Sequence, residues 1–378
     1  MANEENGKRR SMKGILPAVM LITATVVFAV GSILGGSDAE AAEHPVWKPL
    51  LRIHDRIVLA LGQDTLGDVY ITGERMLQRT PQPDAKTVAA AADAVNALAA
   101  ESSVPVYLLA APTSAGIYSD TLSRSAPVSS EHNVLHDLAA DLDEQVIWIE
   151  AESWLSAEKE QYIYYRTDPC WTSYGAFCAY RSAIRKLGFS AVGYDKYTLE
   201  HFCNDYRGSL TKRSHYSEIQ PDVIDLYTCI EQPPDITLTV RSSSGRTQYD
   251  SYYRKDAPDL AEDPMRVFFS AAEPFLRIET QHQNSKDLLL LTDRFGAEMI
   301  PFLLQHYHIV DAVNLELAGD TDWRSMMNGT YSQILILCGA DTVSAENGLA
   351  QMLAAPAADP PETQDDSAIS ERKSTENG

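Results

Sequence analysis

Apolar and polar positions along the chain alternate between two rhythms. Strongly apolar runs occur at Val104–Ala110, Val146–Ile149, Lys286–Thr292 (apolar over Leu288–Leu291), Val310–Val313 (interrupted by Asp311) and Ile334–Leu337. Runs without polar alternation predict strands covered on both faces. Between them the spacing turns helical over Asp84–Glu101, Ser130–Glu144, Trp171–Leu187 and Ala297–His306. Asp84 is a candidate N-cap, Leu135, Leu138 and Leu142 share one face, and Gly188 closes the third helix. Asp68–Ile71 reads as a short strand entering the domain. Strands alternating with helices predict an α/β fold with a largely parallel sheet. From about 194 to 276 the rhythm breaks into short Thr, Val and Tyr runs such as Ile236–Val240 among Gly, Pro and Ser. That stretch predicts a β-rich insertion rather than an independent domain.

The N-terminus is different. Lys8, Arg9, Arg10 and Lys13 precede a segment, Gly14 to Gly36, that carries no charge. Ile15 to Leu34 is long enough at about 1.5 Å per residue to cross a hydrocarbon core of roughly 30 Å. Basic residues before the span hold that end inside, which places the rest of the chain outside the cytoplasm. The length favours an uncleaved anchor. Ala39-Glu40-Ala41 offers the rival reading, a cleaved signal peptide, which also exports the domain. The expected organisation is a basic tail (1–13), an anchor or signal (14–36), a juxtamembrane linker (37–63) with a short helix near Leu50–Leu61, a domain (64–353), and a disordered acidic tail (354–378) rich in Pro, Ser, Asp and Glu.

Charge narrows the partners. The 378 residues hold 31 Lys and Arg against 53 Asp and Glu, a formal net charge of −22. Such an excess repels phosphate backbones, so no nucleic-acid partner is expected. Five cysteines are too few for a disulfide scaffold, and Cys203 with Cys229 is the one pairing suggested. Cys170 and Cys178 lie eight apart on one expected helix and are too distant to bond. No Gly-rich phosphate loop, Cys-x-x-Cys pair or Gly-x-Ser-x-Gly elbow occurs, and neither a metal nor a cofactor is expected.

One segment carries chemistry. Tyr162-Ile-Tyr-Tyr-Arg-Thr-Asp-Pro-Cys-Trp-Thr172 resembles the Thr-Asp-His-His-Trp-Thr signature of the DHHW family, bacterial extracytoplasmic proteins related to SGNH hydrolases and to the alginate O-acetylation proteins. Thr167, Asp168, Trp171 and Thr172 match; Pro169 and Cys170 stand where the histidines would be. Ala111–Ser114 with Ile117-Tyr118, Gly208-Ser209-Leu210, Pro221-Asp222, and Pro301–Leu303 after Asp293 resemble further family segments. The likeness spans about Asp64 to Leu349. It implies a three-layer, flavodoxin-like α/β sandwich. It also implies a serine nucleophile directly after Asp293, and an Asp-x-His pair supplying acid and base. Arg294 occupies the serine position and Cys170 the histidine position.

Serine acyl transfer needs a hydroxyl, a base near pKa 7 and a group that orients the base. Arg294 offers no nucleophile and Cys170 no ring nitrogen. Asp168 alone remains, so the resemblance implies an inactive descendant that binds an envelope carbohydrate or an envelope protein. Candidate ligand residues are Arg294, Asp168, Trp171 and Tyr165. Asp168, Cys170 and Arg294 are expected to converge, with Asp168 bridging Arg294. If Asp168 instead caps its own helix, with Pro169 in the first turn, Arg294 is expected to face an open pocket. The tyrosines and Trp171 equally suit core packing. The alternative is an active esterase or O-acyltransferase in which Cys170 is activated by His201, His215 or His132. Protease added to intact protoplasts is expected to remove the domain; full protection would invert the topology.

Overall fold

The computed structural model describes residues 65–80, 83–122, 126, 129–230, 235–242, 245–283, 285–319 and 321–354. The basic tail, the apolar span, the linker and the acidic tail lie outside them. Among the described residues no helix is long and apolar enough to cross a membrane.

The chain enters through a small antiparallel sheet, β1 (Thr65–Leu66), β2 (Val69–Ile71) and β3 (Met76–Gln78). Helix α1 (Ala85–Glu101) follows, with Asp84 accepting Lys86 N–H as its N-cap. Next come β4 (Val106–Ala111), α2 (Ser114–Tyr118), α3 (Glu131–Ala140), β5 (Val146–Trp148), α4 (Glu152–Ala157) and α5 (Ser173–Lys186). The following region holds β6 (Tyr197–Tyr206), α6 (Ser209–Ser214), β7 (Asp222–Cys229), β8 (Thr237–Ser242), β9 (Gly245–Tyr249) and β10 (Phe275–Glu279). The chain closes with β11 (Asp287–Thr292), α7 (Ile300–Leu303), β12 (Ile309–Asn314), α8 (Leu315–Ala318), β13 (Gln333–Gly339), α9 (Ala340–Ser344) and α10 (Leu349–Leu353).

The main sheet has the order β5-β4-β13-β11-β12-β10-β8-β9. Its first five strands are parallel, and β10, β8 and β9 extend it antiparallel from the β12 edge. The sheet is therefore mixed. The stretch expected as an insertion divides: β6 and β7 form a separate two-stranded sheet, while β8 to β10 join the main one.

Both faces of the sheet are covered, as the apolar runs require. Leu288 and Leu290 of β11 enter one cluster with Leu335 and Leu337 of β13, Tyr107 and Leu109 of β4, and the buried face of α5. Leu289 and Leu291 enter the other with Ile334, Ile336, Val106 and Leu108, under α1, α3 and α10. Successive strand residues point to opposite faces, so each unbroken run feeds two cores and the result is three layers.

Two expected helices begin or end elsewhere. Helix α5 starts at Ser173 with Thr172 as its cap, not at Asp168 or Pro169. The helix expected over Ala297–His306 is reduced to Ile300–Leu303. Pro301 has no N–H to give to Ala297, whose carbonyl accepts the Tyr252 hydroxyl at 3.0 Å instead. Cys203 stands opposite Ile224 and Cys229 opposite Tyr197, and all five cysteines are free.

Gly175 of α5 lies against the Ile163–Trp171 hairpin. A Cβ there would sit 2.0 Å from the Ile163 carbonyl oxygen and 2.9 Å from Trp171 Cβ. Gly175→Ala is expected to cost about 1–3 kcal/mol of stability by overpacking, read as a lowered urea midpoint. Gly73→Ala, where nothing lies within 4 Å, is expected to leave the midpoint unchanged.

Candidate functional site

The segment 162–172 folds back on itself. Tyr164 bridges Trp171, Tyr165 N–H donates to Cys170 O at 3.2 Å, and Thr172 N–H donates to Ile163 O at 2.9 Å. Its tip carries Thr167, Asp168, Pro169 and Cys170. A buried carboxylate holds that tip. Asp222, at the start of β7, accepts Arg166 N–H at 2.7 Å, Thr167 N–H at 2.9 Å, Thr167 Oγ1–H at 2.5 Å and the Tyr162 hydroxyl at 2.6 Å. Thr167 Oγ1 in turn accepts Gly208 N–H at 2.8 Å. Only glycine fits at 208, where a Cβ would lie 2.5 Å from Asp168 Cβ.

On the other side, Ser114 N–H donates to Pro169 O at 2.9 Å, which ties the tip to the end of β4. Trp171 Nε1–H donates to Phe295 O at 3.1 Å, and the two rings meet edge to face at 5.0 Å. Phe295 belongs to the turn after β11, which Asp293 caps by accepting its N–H at 2.9 Å. Asp168, Cys170 and Arg294 thus gather at the carboxyl ends of the parallel strands, where open α/β sheets place their ligands.

The contacts among the three differ from the expectation. Arg294 Nε lies 3.1 Å from Cys170 Sγ. Its Nη1 donates to Glu316 Oε1 at 2.9 Å, and its Nη2 pairs with Asp341 Oδ2. Its backbone N–H also goes to Glu316, at 3.0 Å. No Arg294–Asp168 ion pair forms. Asp168 Oδ1 accepts Cys170 N–H at 3.1 Å, and Oδ2 accepts Ser209 N–H at 2.8 Å and the Tyr206 hydroxyl at 3.4 Å. Asp168 is used up within its own loop and by α6. Arg294 does not pair with Asp168; it clamps two acids from the segments after β12 and β13.

The electrostatics follow from the geometry. Burial alone would lower the Arg294 pKa, but Asp341, Cys170, Asp293 and Glu316 carry it well above its ordinary value. Burial pushes the Cys170 thiol well above the usual range, with Arg294 pulling the other way. Cys170 is 4% exposed and, among the described residues, has no hydrogen bond to a histidine. His201 pairs with Asp225 at 2.6 Å and His132 with Glu152 at 2.9 Å. Trp171 and Tyr165 are 0% and 1% exposed, so they pack the site rather than present a face to a ligand.

Four acids here were not singled out in the sequence. Glu316 and Asp341 pair Arg294, Glu131 binds Thr113 at the β4 end, and Glu298 sits buried beneath Tyr165, whose hydroxyl donates to it at 3.3 Å. Burial raises Glu298 well above the carboxylate range. Glu316 and Asp341 each follow a strand, the one positional signal that could have found them. His132 was considered only as an activator of Cys170, and its spacing of four from His136 on α3 is visible in the sequence.

Residues 69–241 match a family model described as the SGNH hydrolase-like domain of the acetyltransferase AlgX. The fold is SGNH hydrolase-like. The match includes the Thr167–Thr172 loop and ends before β11. A crystal structure of a DHHW family protein from Eubacterium siraeum superposes with a TM-score of 0.65 at 22% identity, covering 75% of this chain and 93% of that one. Bacillus cereus PatB1 superposes with a TM-score of 0.61 at 17% identity, covering 76% of this chain and 98% of that one. At such identities the likeness is one of fold. No curated protein matches the sequence.

Glu131 supplies a test of the buried acids at this site. Thr113 donates its N–H and Oγ1–H to the two carboxylate oxygens, each at 2.7 Å. Burial nevertheless raises the pKa from 4.5 to about 7, and Asp293 is raised to about 7 for the same reason. A folded-state pKa above the unfolded value means that folding takes up a proton between about 4.5 and 7. Stability is therefore expected to fall as pH rises through that window and to level off above it. Thermal midpoints of wild type and Glu131→Gln across it are expected to show a shallower slope in the variant.

Proposed function

We propose that this domain is a catalytically inactive SGNH hydrolase-like module, anchored by its N-terminal apolar segment outside the cell membrane, that binds or scaffolds at the envelope. The observation that carries the reading is the 3.1 Å contact between Arg294 Nε and Cys170 Sγ. By the family resemblance these two positions correspond to nucleophile and base. They lie within hydrogen-bonding reach, so the frame is intact, and neither residue can perform the corresponding step. A guanidinium has no attacking lone pair, and a buried thiol above its ordinary pKa supplies neither thiolate nor proton shuttle. Arg294 is also neutralised by Glu316 and Asp341, which removes it as a free anion receptor.

An envelope carbohydrate or an envelope protein is the proposed partner class. It rests on the likeness to an O-acetylation family and on the apolar N-terminal span. The rival, a rewired esterase with Cys170 as nucleophile, lacks a histidine against the thiol among the described residues.

The full-length protein is expected to hydrolyse p-nitrophenyl acetate no faster than buffer. Turnover that disappears in Cys170→Ala would overturn the inactive reading in favour of the rewired enzyme.

A further inference from the structure

A cavity of about 460 Å³ opens between α3, the end of β5 and α4. It shares no lining residue with the Arg294 cluster. Its floor includes Ala110, Leu135 and Trp148, and its rim carries His132, His136, Glu150 and Glu152.

His132 and His136 both leave helix α3, and His136 Nδ1 lies 3.6 Å from Asp137 Oδ1. Residues four apart on a helix leave it on one face, with Cβ atoms roughly 5–6 Å apart. Both rings are exposed, 68% and 73%, and both line the same cavity. His132 Nδ1 lies 3.1 and 2.9 Å from the two carboxylate oxygens of Glu152. In the neutral ring, donating Nδ1–H to that carboxylate leaves the lone pair on Nε2. Carboxylates behind metal-binding imidazoles work in this way, orienting the ring and strengthening it as a donor.

The other acid is engaged. Glu150 accepts Ser153 N–H at 2.8 Å and Ser153 Oγ–H at 2.5 Å. Among the described residues no group of three ligating side chains is assembled for a metal. What the rim offers is two nitrogens, one of them held ready.

We infer that His132 and His136 form a two-imidazole site for a borderline divalent transition ion, with zinc as the reference case. Water completes the coordination shell, and Glu152 acts as a positioning residue behind His132. Nitrogen donors suit zinc, nickel and copper, whereas magnesium and calcium require oxygen-rich shells. The inference goes beyond the proposed function and does not rest on it.

Titration of tag-free full-length protein with zinc chloride by calorimetry tests the site. The expected result is one zinc ion per chain with micromolar affinity, and no response to magnesium chloride. His132→Ala and His136→Ala are each expected to weaken binding, and the double variant to abolish it. Glu152→Gln is expected to weaken binding by about tenfold and to shift the visible spectrum of the cobalt-loaded protein, with an unchanged thermal midpoint without metal. Zinc binding by the double variant equal to wild type would place the metal elsewhere and end the proposal. So would no zinc binding at all by the wild type.

Discussion

The candidate site depends on a carboxylate that does no chemistry. Asp222 is fully buried, and two backbone N–H groups and two hydroxyls converge on it. A buried charge is tolerated only when its hydrogen-bonding capacity is met, and an unpaired donor left behind is costly in its turn. The loop tip at Thr167 and Asp168 and the start of β7 therefore hold each other in place. Gly208 closes the arrangement, because a Cβ there would collide with Asp168. Of the four positions that match the motif, Thr167 is the one this clamp bonds, while Asp168 is held by Ser209 N–H and the Tyr206 hydroxyl. The replaced parts, Pro169 and Cys170, face away from the clamp toward Ser114 and Arg294.

The strands were legible in the sequence because burial on both faces leaves a simple signature. Leu288 to Leu291 alternate between two cores and so cannot include a polar residue. The helix expected over Ala297–His306 was not, for a related reason. Met299, Ile300, Phe302, Leu303 and Leu304 are all buried, so the segment looked like an apolar helix whatever its backbone did. Pro301 and the Tyr252 hydroxyl decide the backbone there, and the second of these is a contact with a distant part of the chain. The antiparallel extension was equally hidden. Leu276 and Ile278 show the alternation of a strand, but nothing local tells which edge they join.

Within the site, the convergence of Cys170 with Arg294 could be read from the family frame, and the partners of Arg294 could not. The chain has 53 acidic residues, and a charge count does not say which two will lie beside a given guanidinium. Asp168 was the natural candidate from sequence, yet its oxygens are taken by Cys170 N–H, Ser209 N–H and the Tyr206 hydroxyl. Glu316 and Asp341 win because each follows one of the two parallel strands, β12 and β13, that flank β11, and Arg294 follows β11 itself. Their positions are a property of topology, legible only once the strand order is known.

That strand order also governs when the molecule can assemble. Strand β13 lies between β4 and β11 and is among the last elements in the chain. Gln333 at its start donates a side-chain N–H to the Tyr107 hydroxyl across 226 residues of sequence. Until β13 has been made, β4 and β11 have no edge in common, and each presents an unpaired row of backbone groups. Long-range parallel pairing of this kind is intrinsically slow. The ribosome must pass Gln333 before the central sheet can close, so β4 and β11 each wait with one open edge until then.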